Sequence, residues 1–262
     1  MHYILLDMAR ALRKWINRSL SRYNLRISSI ALPVEFSKQD REIFDYIIKH
    51  DLSMASRERI IATILACKFV IENNIEGDFV ECGVWKGGHA IAAKLMFEAY
   101  GSAKNVVLYD TFTGMTAPTE FDKKAGNNES ALPNFKRMQR TDHNIWCYTS
   151  LENVKQNFTN ARADLSGVRF IAGDVTKTLT AAANLPNKIA VLRLDTDWYE
   201  STKIEMEVLY PLLSKGGVLI IDDYGTWIGA RKAVDEYFTT RIGSERPFLQ
   251  YTDFSGRMGI KP

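Results

Sequence analysis

No stretch of this chain approaches the ~18 consecutive apolar residues that a membrane span requires, so no transmembrane segment is expected. Asp7 and Arg10 break the short apolar start, which argues against a secretory leader. Cysteine is scarce. Cys67, Cys82 and Cys147 are odd in number and lack metal-ligand spacing, so we read them as reduced core residues of a cytoplasmic protein. Charge of one sign is lacking too: 34 Lys and Arg stand against 31 Asp and Glu, and a net charge of +3 gives no case for nucleic acid. What remains in 262 residues is an ordinary apolar fraction, enough for one elaborated domain with a sizeable core.

The first 30 residues are locally basic, with Arg10, Arg13, Lys14, Arg18, Arg22 and Arg26 against Asp7. Ile4, Leu5, Leu12, Trp15, Ile16 and Leu20 recur at roughly helical spacing, which predicts an amphipathic helix. We expect it to pack on the domain or on a second subunit, so a homo-oligomer is anticipated; a membrane surface is the other use of such a helix.

Two acidic clusters carry the most information: Asp195-Thr196-Asp197 and Asp222-Asp223. Each ends a run that reads as a buried strand, Ile189-Ala190-Val191-Leu192-Arg193-Leu194 and Val218-Leu219-Ile220-Ile221, with one helix between. Such a β-α-β unit points both carboxyl ends at the same sheet edge. If the strands are neighbours, about 4.8 Å apart, the carboxylates meet in one crevice. Buried like charges repel unless a cation sits among them, and a hard divalent metal with oxygen ligands is the simplest such cation.

Helices are predicted over 36–50 and 54–73, the second from the stripe Ile60, Ile64, Cys67 and Ile71. Strands over 79–84, 106–111, 168–172, 189–195 and 218–222 then alternate with helices, and 248–260 supplies closing strands. The helix between the acidic clusters has Thr202 and Glu205 as a capping box and Gly216-Gly217 as its stop. We therefore expect an α/β fold: a Rossmann-like, doubly wound, mostly parallel seven-stranded sheet with an N-terminal helical extension. Residues 1–50 form that extension or lid, and 51–262 form the main domain. Within it, 112–150 is long, polar and poorly periodic, as a lid or binding loop would be.

Glu81-Cys82-Gly83-Val84-Trp85-Lys86-Gly87-Gly88 follows the first strand and opens a helix. Gly83 and Gly87 permit a tight turn and close ligand approach. The spacing is neither that of a dinucleotide fingerprint nor that of a P-loop. Asp110, with Thr111 beside it, ends the second strand, where an acid holds ribose hydroxyls. Asp174 and Val175 follow the third strand and suit an adenine edge. Glu81 would repel a pyrophosphate but not a sulfonium amino acid, which favours S-adenosylmethionine (SAM) over NAD. Trp85 is a candidate for stacking on the cofactor, and Met54 and Arg57 for closing over its methionine end.

The motif from Glu81 to Gly88, Tyr109-Asp110-Thr111-Phe112-x-Gly114-Met115, Arg193-Leu194-Asp195-x-Asp197-x-Tyr199-Glu200-Ser201-Thr202 and Ile221-Asp222-Asp223-Tyr224 occur in order. Together, over roughly residues 50–240, they resemble the macrocin O-methyltransferase family. The resemblance implies a SAM- and Mg²⁺-dependent O-methyltransferase acting on a small-molecule or glycan acceptor, a sugar hydroxyl with a vicinal diol. It implies Asp195, Asp222 and Asp223 as metal ligands and Asp195 as general base, with Asp197 left as a helix cap. His143 is expected as a solvated loop residue, His89 as a packing or cofactor residue, and Trp198 and Tyr199 as pocket wall or core. Three alternatives stand beside this reading: a metal-independent methyltransferase, a nicotinamide-dependent oxidoreductase, and a non-catalytic SAM-binding or membrane-attached protein.

Overall fold

The structure is a computed structural model that describes residues 31–240 and 246–262, with Leu12, Trp15, Ile16, Arg18, Ser19 and Leu20, which are helical. The rest of the basic N-terminal stretch, and the full amphipathic helix expected there, lies outside the described residues. The chain divides into Met1–Phe36 and Ser37–Pro262. Among the described residues, no helix is long and apolar enough to cross a membrane.

Within Ser37–Pro262 the elements run α1 (Lys38–Lys49), α2 (Arg57–Glu72), β1 (Asp78–Cys82), α3 (Gly88–Ala99), β2 (Val106–Asp110), α4 (Leu132–Met138), α5 (Leu151–Asn160), β3 (Val168–Ala172), α6 (Val175–Thr178), β4 (Ile189–Leu194), α7 (Tyr199–Val208), β5 (Leu213–Ile221), α8 (Ile228–Thr240), β6 (Gln250–Tyr251) and β7 (Arg257–Ile260). One seven-stranded sheet has the order β3-β2-β1-β4-β5-β7-β6. Strands β1 to β5 pair in parallel, and β7 runs antiparallel to both β5 and β6. The sheet winds outward from β1 in both directions, so its crevice opens above the carboxyl ends of β1 and β4.

The division at Ser37 assigns α1 to the larger unit, whereas the sequence reading placed it in the extension. Ser37 and Asp40 cap α1 reciprocally, and Ile43, Phe44 and Ile47 bury its inner side. In α2, Ile60, Ile64 and Cys67 are buried as the stripe predicts, but Ala62, Thr63, Ala66 and Val70 are buried too. That helix is covered on more than one side.

Two expectations around α7 are corrected. It starts at Tyr199, so Thr202 and Glu205 lie inside the helix, and its N-cap, Trp198, makes no side-chain cap bond. Buried Glu205 instead accepts the Thr196 hydroxyl at 2.9 Å. Gly216 and Gly217 do not stop the helix: a short 3-10 turn intervenes and β5 already begins at Leu213.

Candidate active site

Strand register brings the acids together. Glu81 and Arg193 are Cα partners across β1 and β4, so their side chains leave the sheet on one face. Asp195, two residues beyond Arg193, follows on that face. The ladder runs one step past the strands, with Asp195 N–H donating to the Cys82 carbonyl and Asp222 N–H to the Leu194 carbonyl. The approach is close at Gly83, whose φ is +82° and where a Cβ would fall 2.0 Å from the Asp195 carbonyl oxygen. Only glycine tolerates both conditions.

Carboxylate oxygens of Asp195, Asp222 and Asp223 lie within 4.8 Å of one another, as a divalent ion would require. The sequence reading missed the cations already present. Arg193, fully buried, donates from Nη1 to Glu81 and to Asp195, both at 2.7 Å, and from Nη2 to Asp222. Arg59 donates to the other Asp222 oxygen and, at 3.0 Å, to Asp253. Glu81, Asp195, Asp222 and Asp253 thus accept from two guanidinium groups, with Asp197 and Asp223 in the same cluster of acids, so ionising all six would leave negative charge in surplus. Asp223 Oδ2 and Glu81 Oε2 are buried without a hydrogen-bond partner. An orphaned carboxylate oxygen beside two further carboxylates is a donor set that fits Mg²⁺.

The surplus shows in the protonation behaviour. Burial pushes the Glu81 carboxyl up to about 7, against the pull of Arg193. Burial and the negative charges of Asp222 and Asp223 raise Asp195 well above the usual range, again opposed by Arg193. Asp223 is raised by burial and by Asp197, and Asp197 rises to about 7 by burial and the charge of Asp195. The neighbouring Asp223 carboxyl and the Trp227 side chain oppose part of the rise at Asp197. Asp197 therefore does not cap α7. With φ of +66° it turns toward the acids and lines the cleft.

The cleft has a volume of about 360 Å³, within the range of small-molecule sites. Met54, Glu81, Gly83, Trp85, Asp110, Thr111, Asp174, Val175, Asp195, Asp222 and Asp223 all line it. Gly87 does not; it is the left-handed N-cap of α3, so its contribution is the turn. Arg57 lies over the Phe44 ring at 5.1 Å, and Arg59 takes the place in the cleft expected of it. Asp110 accepts the N–H groups of Val84 at 2.6 Å and Phe112 at 2.7 Å, shaping the glycine turn with lone pairs to spare. Thr111 donates to the Gly114 carbonyl, and Asp174 caps α6 through Thr176.

The far wall comes from the 112–150 segment, which is anchored. Buried Asp122 accepts the N–H of Thr119 and, at 2.8 Å, of Tyr199, and Trp198 Nε1 donates to the Thr116 carbonyl at 2.9 Å. Trp146 then meets Trp198 edge to face, with ring centroids 5.5 Å apart, and Trp198 meets Trp227 at 4.9 Å. Met115, Trp146 and Trp227 line the cleft, while Trp198 and Tyr199 are buried behind it. His143 pairs with Asp142 on the loop, away from the cleft lining.

The turn between β6 and β7 supports the Asp222 end of the site from outside the cleft lining. Ser255 Oγ donates to the Asp222 carbonyl at 2.6 Å, and Asp253 holds the Ser255 and Gly256 N–H groups while it receives Arg59.

A profile of the family described as Macrocin-O-methyltransferase (TylF) matches residues 7–249. The chain belongs to the macrocin O-methyltransferase family. It is 37% identical over 169 residues to 8-demethyl-8-(2,3-dimethoxy-alpha-L-rhamnosyl)-tetracenomycin-C 4'-O-methyltransferase of Streptomyces olivaceus, over 64% of this chain and 60% of that protein. To demethyldecarbamoylnovobiocin O-methyltransferase of Streptomyces niveus it is 38% identical over the same shares. The chain thus spans about 60% of the length of the curated relatives it matches. Among solved structures, the O-methyltransferase NovP superposes with a TM-score of 0.66 and 32% identity, covering 80% of this chain and 82% of that one. The calicheamicin methyltransferase CalS11, 18% identical with a TM-score of 0.56, shares the fold over 89% of this chain and 98% of its own.

Proposed function

We propose that this macrocin O-methyltransferase family member is a SAM- and Mg²⁺-dependent O-methyltransferase that methylates a sugar hydroxyl of a glycoside, with a vicinal diol as acceptor. The observation that carries this reading is the convergence of Asp195, Asp222 and Asp223 beside a glycine turn. The relative named as a 4'-O-methyltransferase of a rhamnosyl-tetracenomycin supports it.

When bound, SAM would supply an activated methyl group and Mg²⁺ a positive charge that acidifies a hydroxyl. The protein's own residues do the rest. Asp195, Asp222 and Asp223 hold the ion, and Asp195, with 30% of its side chain exposed against 4% for Asp222, is the ligand that faces the acceptor. Its carboxylate takes the hydroxyl proton. Glu81, Gly83, Trp85, Asp110, Thr111, Asp174 and Val175 orient the cofactor along β1 to β3, with Met54 over its methionine end and Gly87 setting the turn. The insertion wall shapes the acceptor side and excludes water, so orientation and electrostatics carry the acceleration.

One observation favours a second reading, a metal-independent enzyme. Both Asp222 oxygens already accept from guanidinium groups, so part of the required positive charge is built in. Turnover of a glycoside panel with labelled SAM decides between them. Chelation should abolish methyl transfer and Mg²⁺ restore it; undiminished turnover in chelator would leave the metal-independent enzyme standing. Calorimetry showing NAD(H) binding and no SAM binding would remove both.

A further inference from the structure

His89 is the second residue of α3, buried, on the cleft lining, and without a part in the chemistry above. Its ring lies between two hydroxyl groups on different parts of the chain. Nδ1 is 2.8 Å from Thr63 Oγ1 on α2, and Nε2 is 3.0 Å from Ser53 Oγ in the loop that carries Met54. Thr63 spends its one proton on the Arg59 carbonyl, at 3.2 Å. It can therefore only accept from the ring, which puts the imidazole hydrogen on Nδ1. Nε2 is then the acceptor, and the Ser53 hydroxyl donates to it while accepting the Ala55 N–H at 3.0 Å. Burial and the nearby Arg193 and Arg59 charges hold the imidazole well below its ordinary range, hence neutral.

The same loop is pinned a second time. Gly88 N–H donates to the Leu52 carbonyl at 3.1 Å, and a Cβ on Gly88 would fall 2.4 Å from that oxygen. Leu52 and Ser53 therefore lie directly on the start of α3, and Met54 and Ala55 follow along the cleft, with Met54 59% exposed. An exposed methionine keeps its place over a cleft only if the backbone beneath it is held.

We infer that His89 is a positioning residue for the cofactor. As the Nδ1–H tautomer it fastens the Ser53–Met54 loop to the turn of α3, and through Thr63 it steadies the α2 backbone at Arg59, which grips Asp222. This rests on the SAM reading of the cleft. No atom of His89 needs to touch the reacting groups. Its loss should weaken cofactor binding far more than turnover at saturating cofactor.

The test is calorimetric titration of S-adenosylhomocysteine into wild type, His89→Ala, His89→Asn, Ser53→Ala and the double variant His89→Ala/Ser53→Ala, with the folded fraction checked by circular dichroism. Loss of a buried hydrogen bond predicts about a tenfold rise in Kd for His89→Ala. Ser53→Ala should show much of the same rise, and the double variant no more than His89→Ala alone, because both act through one bond. His89→Asn, which keeps an N–H toward Thr63 but offers nothing to Ser53, should behave like Ser53→Ala. In kinetics, KM for SAM should rise while kcat stays within about threefold. A folded His89→Ala with unchanged Kd, or fully additive effects with Ser53→Ala, would overturn the inference. If His89→Ala does not fold, Ser53→Ala and His89→Asn decide it alone. Failure of the wild type to bind S-adenosylhomocysteine would instead sink the SAM reading itself.

Discussion

On the β4–β5 side of the cleft, buried carboxylates crowd two guanidinium groups; on the insertion side, Trp146, Trp198 and Trp227 pack edge to face with almost no charge. The first wall is held by strand register. Glu81, Arg193, Asp195 and Asp222 come together because parallel strands fix which residues stand side by side. The second wall is held by contacts between segments distant in sequence, such as Trp198 with the Thr116 carbonyl and Asp122 with Tyr199. A wall built on register keeps its chemistry so long as the sheet forms. A wall built on anchored loops can be reshaped one side chain at a time. Under the proposed function, the first wall carries the chemistry and the second shapes the acceptor side.

The largest expected effect breaks the charged wall. Arg193→Met removes the cation between Glu81, Asp195 and Asp222, and leaving buried charges unmatched should cost about 3–5 kcal/mol. Urea unfolding measures this; a loss below about 1 kcal/mol would mean that the acids simply protonate. Next, Asp195→Asn should lower kcat by about 10²–10³ with little change in S-adenosylhomocysteine affinity. Asp197→Asn is the sharper comparison, since Asp197 lines the same cleft and burial beside Asp195 raises its carboxyl to about 7. If it lost more turnover than Asp195→Asn, the proton acceptor would have to be reassigned.

The aromatic wall should answer differently. Trp146→Ala removes one ring of the cluster and should raise acceptor KM by about tenfold, roughly 1–1.5 kcal/mol, while cofactor affinity holds. An equal loss of cofactor affinity would show that the two walls are not independent. The smallest effect lies outside both. Asp40 is buried, which raises its pKa, but Tyr100, Ser37 and Lys68 outweigh this and hold it below its ordinary value. A carboxyl depressed in the folded state contributes stability above its unfolded value, near pH 4, and that contribution disappears as pH falls through the folded value. Asp40→Asn should thus cost about 1 kcal/mol at pH 7 and progressively less on acidification below pH 4, read from unfolding midpoints.

How much of this was legible in the chain follows the same line. The five parallel strands and the meeting of Asp195, Asp222 and Asp223 were readable because apolar runs ending in acids need only local pattern and sheet geometry. Arg193 was visible too, a lone charge inside an otherwise apolar strand two positions before Asp195, and it went unread. Arg59 gave no such sign. It meets Asp222 across 163 positions, and only the packing of α2 against β4 and β5 brings it there. The boundaries of α7 were misjudged because Thr202 and Glu205 fit a capping pattern that long-range burial overrode: Glu205 serves Thr196 from inside the helix. Asp197 looked like a helix cap by position, and its left-handed backbone turned it inward instead.

The turn at Asp253 to Gly256 gives the site a direction in time. During synthesis the acids of β1, β4 and β5 and both arginines are made before Asp253 and Ser255. A nascent chain therefore carries the charges before it carries the piece that clamps Arg59 and ties down the Asp222 backbone. The Asp222 end of the pocket is therefore completed only once the β6–β7 turn has been made, and a chain lacking Asp253 and Ser255 would leave Arg59 and the Asp222 backbone without these contacts.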